Sequence, residues 1–112
     1  MDYADQFRRA IREVEDEQKK ELEEVFSDAF KDSRVAFNTL CKFLSLNQFP
    51  LSREQIVTSI EDLTYSRDLL DEQHNQYMNI EGVTKSNFNY RKARMYVVSS
   101  KRVLERFLQE DS

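Results

Sequence analysis

The sequence of residues 52–78, SREQIVTSIEDLTYSRDLLDEQHNQYM, decides the fold of this chain. Ser52 and Gln55 have the spacing of a capping box, in which each side chain bonds a backbone N–H group that the helix start leaves unpaired. The positions that follow recur at steps of four and three, which keeps them on one face of a helix. They are Ile56, Ile60, Leu63, Arg67, Leu70, His74 and Tyr77. The segment predicts one helix about 40 Å long, packed between its two sequence neighbours.

The composition of the whole chain favours few, long helices. Its 112 residues include one glycine, one proline and no tryptophan, whereas eight phenylalanines and five tyrosines supply apolar bulk. Folds that contain sheets need many more turn residues. A chain of this length can bury roughly two-thirds of its unfolded surface, so it needs no disulfide or metal to fold. We therefore predict one all-α domain over residues 1–112.

The first part of the chain, residues 3–47, has neither glycine nor proline and predicts one long helix. A narrow apolar stripe on its charged first half is typical of a coiled-coil seam. The stripe consists of Phe7, Ile11, Val14, Gln18, Leu22, Val25 and Ala29. From Phe26 onward the apolar face widens, and we expect these residues in the core: Phe26, Phe30, Val35, Ala36, Phe37, Leu40, Cys41, Phe43, Leu44 and Leu46.

Two alternatives concern the continuity of this first helix. Unbroken, it would be about 67 Å long, and residues 1–25 would project as an arm or form a dimer. Asp32 or Ser33 could instead cap a new helix, and a break near residues 31–34 would give four helices. We favour the unbroken helix because no glycine ends its first part.

Two short connections separate the predicted helices. The first helix ends before Phe49, because the residue before Pro50 is pushed out of helical geometry. In the second connection Gly82 supplies a turn residue, and Thr84 or Ser86 is expected to cap the last helix. Short connections favour antiparallel neighbours. The predicted architecture is an antiparallel bundle of three long helices, at approximately 3–47, 52–78 and 86–109.

Arg67 and His74 are the candidates for catalysis. The spacing Arg-x6-His resembles the loose Arg-x(4–6)-His pattern of the HEPN helical-bundle ribonucleases, and Asp68 supplies the polar residue that often follows the arginine in that family. The resemblance implies that the pair would lie at a dimer cleft and act on an RNA 2′-hydroxyl and phosphate. We favour the alternative that both residues have structural roles. Arg67 would form an ion pair with Glu21 or Glu24 of the first helix, and His74 would lie in an interface between helices with its hydrogen bonds satisfied.

Metal and cofactor sites are not expected. Asp71 and His74 have the i, i+3 spacing of a metal-binding pair in helical bundles. Such a site needs a second acid–histidine pair, and the chain has one histidine and one cysteine, too few for a zinc site. One glycine also excludes a phosphate-binding loop.

The last helix is basic. Residues 83–112 hold seven Lys and Arg against three acids, whereas residues 51–82 hold two against seven. The candidates for contact with nucleic acid are Lys85, Arg91, Lys92, Arg94, Lys101 and Arg102. We favour a different role for these basic residues, which is to pair with acids of the middle helix in the same chain. Glu54 would then lie near Arg102 or Arg106, and Glu72 near Arg91.

These patterns predict a non-catalytic protein–protein interaction module that forms a homodimer through its first helix. The predicted interaction residues are Phe7, Ile11, Val14 and Gln18. The alternatives are a HEPN-like RNA-binding protein or ribonuclease and a small acidic regulatory or inhibitor protein. The polar N-terminus, the single cysteine and the lack of a long apolar segment predict a cytoplasmic protein with a protein partner, no membrane contact and no cofactor.

Overall fold

The computed structural model describes residues 2–46 and 49–110. Within these ranges the chain forms three helices and no strand: α1 (Tyr3–Ser45), α2 (Arg53–Met78) and α3 (Phe88–Glu110). The predicted all-α bundle of three long helices is therefore confirmed. The radius of gyration is 19.1 Å, whereas a compact chain of this length would have about 13 Å. The molecule measures 70 × 20 × 19 Å, because α1 is much longer than its neighbours.

Helix α1 runs without interruption through residues 31–34, so the four-helix alternative is wrong. The hydroxyl of Ser33 donates a hydrogen bond to the Phe30 carbonyl, at 3.2 Å, inside the helix instead of capping a new one. The side chain of Asp2 caps the N-terminus by accepting a bond from the Ala4 N–H. The helix ends at Ser45, and the predicted end at residue 47 lies outside the described residues.

The capping chemistry at the start of α2 is as predicted. Ser52 Oγ accepts a hydrogen bond from the Gln55 N–H at 3.2 Å, and Gln55 Oε1 accepts one from the Ser52 N–H at 2.9 Å. After Met78 the chain turns at Gly82, whose φ of 88° lies in the left-handed region that favours glycine.

Helix α3 begins at Phe88, two residues later than predicted. The cap is Asn87, whose Oδ1 accepts a hydrogen bond from the Tyr90 N–H at 3.0 Å. The predicted caps, Thr84 and Ser86, do not have this role. The hydroxyl of Ser86 lies beside His74 instead. The start of α3 is therefore set by the amide side chain of Asn87.

Helix α3 packs closely on both other helices, whereas α1 and α2 make little contact with each other. The central helix is therefore α3. The prediction that α2 packs between the other two helices is wrong. Small residues on the inner face of α3, Ala93 and Ser100, are buried and allow this close approach. Phe26 of α1 and Leu104 of α3 are the largest fully buried side chains.

Fewer apolar residues of α1 are buried than the sequence predicted. Of that expected set Phe26 is buried, and Phe30, Phe37, Leu40 and Phe43 are half-buried. The others are exposed: Val35, Ala36, Cys41, Leu44 and Leu46. Two neighbouring helices cover only part of the circumference of α1, so much of its wide apolar face stays in contact with solvent.

Candidate functional site

A cluster of polar and aromatic side chains joins the end of α2 to the start of α3. We call it the His74 cluster, and it consists of Asp71, His74, Ser86, Tyr90 and Arg94. The imidazole of His74 lies parallel to the Tyr90 ring, with 3.8 Å between the ring centroids and 7° between the planes. Its Nε2 lies 3.0 Å from Ser86 Oγ. The ring is therefore covered on one face and hydrogen-bonded at one edge.

Asp71 connects the two helices through one carboxylate oxygen. Its Oδ1 accepts hydrogen bonds from the Tyr90 hydroxyl at 2.6 Å and from Arg94 Nε at 2.9 Å. Tyr90 and Arg94 are four residues apart and so lie on one face of α3. These two hydrogen bonds join α2 to α3.

The environment shifts the pKa values of four members of the His74 cluster, among them Arg94, whose pKa is raised by its hydrogen bond to Asp71. Burial, followed by the hydrogen bond to Asp71, raises the pKa of Tyr90 to about 12. Partial burial works against ionised Asp71, but the hydrogen bonds from Tyr90 and Arg94 outweigh it and the pKa of Asp71 is lowered. Burial also lowers the pKa of His74, with Arg91 adding to the effect and Asp71 opposing it. The imidazole is therefore mainly neutral at pH 7.

This neutral histidine makes the stability depend on pH. The pKa of His74 is lower in the folded state than its ordinary value of 6.5. The neutral imidazole therefore stabilises the fold at pH values above 6.5, and this stabilisation is lost as the pH falls through the folded-state pKa. We expect the free energy of unfolding, measured with urea, to fall between pH 7 and pH 5, and to fall less in His74→Gln. If the variant and the original chain lose equal free energy, His74 is not the source of the pH dependence.

Arg67 and His74 have different partners. The guanidinium of Arg67 pairs with the adjacent Asp68, with Nη2 3.1 Å from Oδ1, and not with Glu21 or Glu24 as the structural alternative expected. His74 lies at the α2–α3 interface, packed on Tyr90, with Phe26 6.2 Å away between ring centroids. To act as a general base, the Nε2 atom of His74 would first have to leave Ser86.

The basic residues of α3 are largely engaged within the chain. Arg94 pairs with Asp71, and Lys101 lies 3.7 Å from Glu105. Arg91 donates a hydrogen bond to the Ser86 carbonyl, and Lys92 lies over the Phe88 ring. Lys85 and Arg102 are exposed.

The predicted ion pairs between α2 and α3 are wrong. Among the described residues, Arg94–Asp71 is the ion pair that joins these helices, and neither Glu54 nor Glu72 forms one. Arg102 and Arg106 border a hollow with Phe37 of α1 instead. The sequence suggested two unrelated roles for the ion pair, with Asp71 in a possible metal-binding pair and Arg94 among the candidates for contact with nucleic acid. The i, i+4 spacing of Tyr90 and Arg94 was the available signal that they act together.

The first part of α1 exposes an apolar surface that is left open by the rest of residues 2–46 and 49–110. We call Phe7, Ile11, Val14 and Gln18 the arm stripe. Phe7 is 69% exposed, Val14 65% and Ile11 44%. Buried side chains in α1 begin only at Leu22. The predicted interaction residues therefore share one solvent-facing side of the helix.

A second apolar surface lies between α1 and α2, where these helices contact each other little. Two adjoining hollows, of 390 and 380 Å³, share Ala36 and Leu63 and form what we call the α1–α2 groove. Its apolar walls include Val25, Ala29 and Ala36 of α1, Leu63 and Leu69 of α2, and Val97 of α3.

Three further observations bear on function. Within residues 2–46 and 49–110, no three His, Cys, Asp or Glu side chains are grouped so that they could hold a metal ion. Of the three helices described, none combines the length and the apolar character needed to cross a membrane. No protein-family model, curated protein or solved structure matches this chain.

Proposed function

We propose that this protein is a non-enzymatic interaction module that forms a homodimer through the first half of α1. The exposed arm stripe carries this proposal. Burying a Val or Phe side chain contributes about 1.5–3 kcal/mol, so three such residues on one open helix face favour association. Contiguous exposed apolar surface is typical of protein-binding sites.

The shape of the molecule supports the same function. Helix α1 has 43 residues, against 26 in α2 and 23 in α3. The two shorter helices cannot cover the whole of α1, and its N-terminal part contributes no buried residue before Leu22. A second chain would bury the surface that α2 and α3 leave open.

The exposed surface of α2 gives the module a means to bind a further protein. Glu54, Glu61 and Glu72 are exposed, and none of them forms an ion pair among the described residues. We therefore propose an acidic helical surface that is free in the dimer. The contacts of Arg67 and His74 do not favour RNA cleavage, since each is bonded to another side chain of the same chain.

Light scattering tests the proposed self-association. We expect a mass of twice the 13.4 kDa of one chain, and we expect Phe7→Glu to weaken the dimer by more than about tenfold, because the lost burial alone is worth at least 1.4 kcal/mol. Val35→Glu is the matched control, since Val35 is also an exposed apolar residue of α1 but lies outside the arm stripe. A monomer at high micromolar concentration, or equal effects of the two variants, would contradict the proposal.

A further inference from the structure

The arm stripe and the α1 wall of the α1–α2 groove lie on the same face of α1. Beyond Gln18 the stripe continues through Leu22, Val25, Ala29, Ser33, Ala36 and Leu40. Phe7, Gln18, Ala29 and Leu40 are eleven residues apart. Eleven residues make three turns at about 3.67 residues per turn, close to the natural helix period, so the stripe stays on one side of a straight helix. The exposed arm and the groove wall therefore face the same direction.

The spacing of this stripe is identical when read in either direction. Its steps are 4, 3, 4, 4, 3, 4, 4, 3 and 4 residues. Two antiparallel copies of α1, centred between Glu23 and Glu24, therefore place the four residues of the arm stripe opposite Leu40, Ala36, Ser33 and Ala29 of the second copy. Leu22, near the centre, is buried within its own chain. Ile11 then faces Ala36, and Val14 faces Ser33. A two-fold interface needs this self-complementarity, because each contact occurs twice.

We propose that the homodimer is antiparallel, with the arm stripe of each chain lying in the α1–α2 groove of the other. This inference rests on the proposed self-association and adds its geometry. The larger side chains Ile11 and Val14 of the arm then meet the small residues Ala36 and Ser33, and Phe7 meets Leu40. Large side chains opposite small ones allow two helices to pack closely.

The size of the two surfaces agrees with this arrangement. The overlap of residues 7–40 is about 50 Å long, and a contact strip about 10 Å wide gives about 500 Å² per chain. The α2 wall of the groove, which includes the partly exposed Leu69, brings this towards the ~800 Å² per partner of a stable interface.

Cysteine cross-linking tests the register. In a Cys41→Ser background, the pair Ile11→Cys and Ala36→Cys should form a disulfide between chains on mild oxidation, because these positions face each other in the antiparallel dimer. The two positions are 25 residues and about 37 Å apart on one helix, so a bridge within one chain is excluded. Each single variant should stay uncross-linked. Val14→Cys with Ser33→Cys tests the same register if the first pair fails to fold.

The possible results test the antiparallel register independently of self-association. Cross-linked Ile11→Cys alone would indicate parallel helices and overturn the antiparallel register, as would a light-scattering dimer in which neither pair cross-links. In both cases the proposed homodimer would stand. A monomeric original chain would remove both proposals together.

Discussion

Phe26→Ala is expected to cost about 3–5 kcal/mol of unfolding free energy, the largest effect of any single truncation in this molecule. Phe26 is fully buried. Its ring packs edge-on against Tyr77 and Tyr90, each 5.7 Å away between centroids. The substitution therefore removes contacts to both α2 and α3 and leaves a cavity where the three helices meet. A domain of this size has only about 5–15 kcal/mol of stability in total.

Urea unfolding at one fixed protein concentration measures this loss, since dimer formation would make apparent stability depend on concentration. Phe88→Ala is the matched control, because Phe88 is 55% exposed and its removal should cost less than about 1 kcal/mol. Similar losses in the two variants would mean that the junction around Phe26 is not the centre of the core.

The local features of this fold follow from sequence chemistry. Ser52 and Gln55 define the start of α2 because capping depends only on side chains a few residues apart. The continuity of α1 follows from its lack of glycine and proline. The residues of the arm stripe, predicted from a narrow period on a charged helix, lie together on one exposed face.

The features that depend on helix register could not be predicted. Exposed ion pairs are worth only about 0.2–1 kcal/mol, so the surface charges of Glu54 and Glu72 do not decide how α2 and α3 align. The apolar contacts of Leu70, Ala93 and Val97 in one core cluster outweigh them. Once that cluster is formed, Asp71 meets Arg94, 23 residues away in the sequence. No local pattern contains this contact.

The exposure of Val35 and Leu46 has a similar origin. Apolar periodicity shows which face of α1 can be buried, but not how many helices are present to bury it. With α3 as the central helix, α2 leaves the groove beside α1 open. Of the apolar residues that the sequence placed in the core, Ala36 and Leu40 then line this groove, whereas Val35 and Leu46 lie outside it.

Leu70→Ala and Leu69→Ala form a matched pair that tests the fold and the groove together. Both residues border the α1–α2 groove, but Leu70 is 5% exposed and belongs to the core, whereas its neighbour Leu69 is 39% exposed. We expect Leu70→Ala to cost about 2–5 kcal/mol, as large-to-small changes in a packed core do. Leu69→Ala should cost less than about 1 kcal/mol in the isolated monomer.

The two variants should also differ in how their stability depends on protein concentration. If a second chain fills the groove, Leu69→Ala removes part of the interface, and its loss of stability grows at concentrations at which the original chain is dimeric. The loss caused by Leu70→Ala arises within one chain and should persist on dilution. Thermal melts of both variants across a hundredfold range of concentration would measure this difference. A Leu69→Ala effect that does not change with concentration would show that the groove stays open in solution.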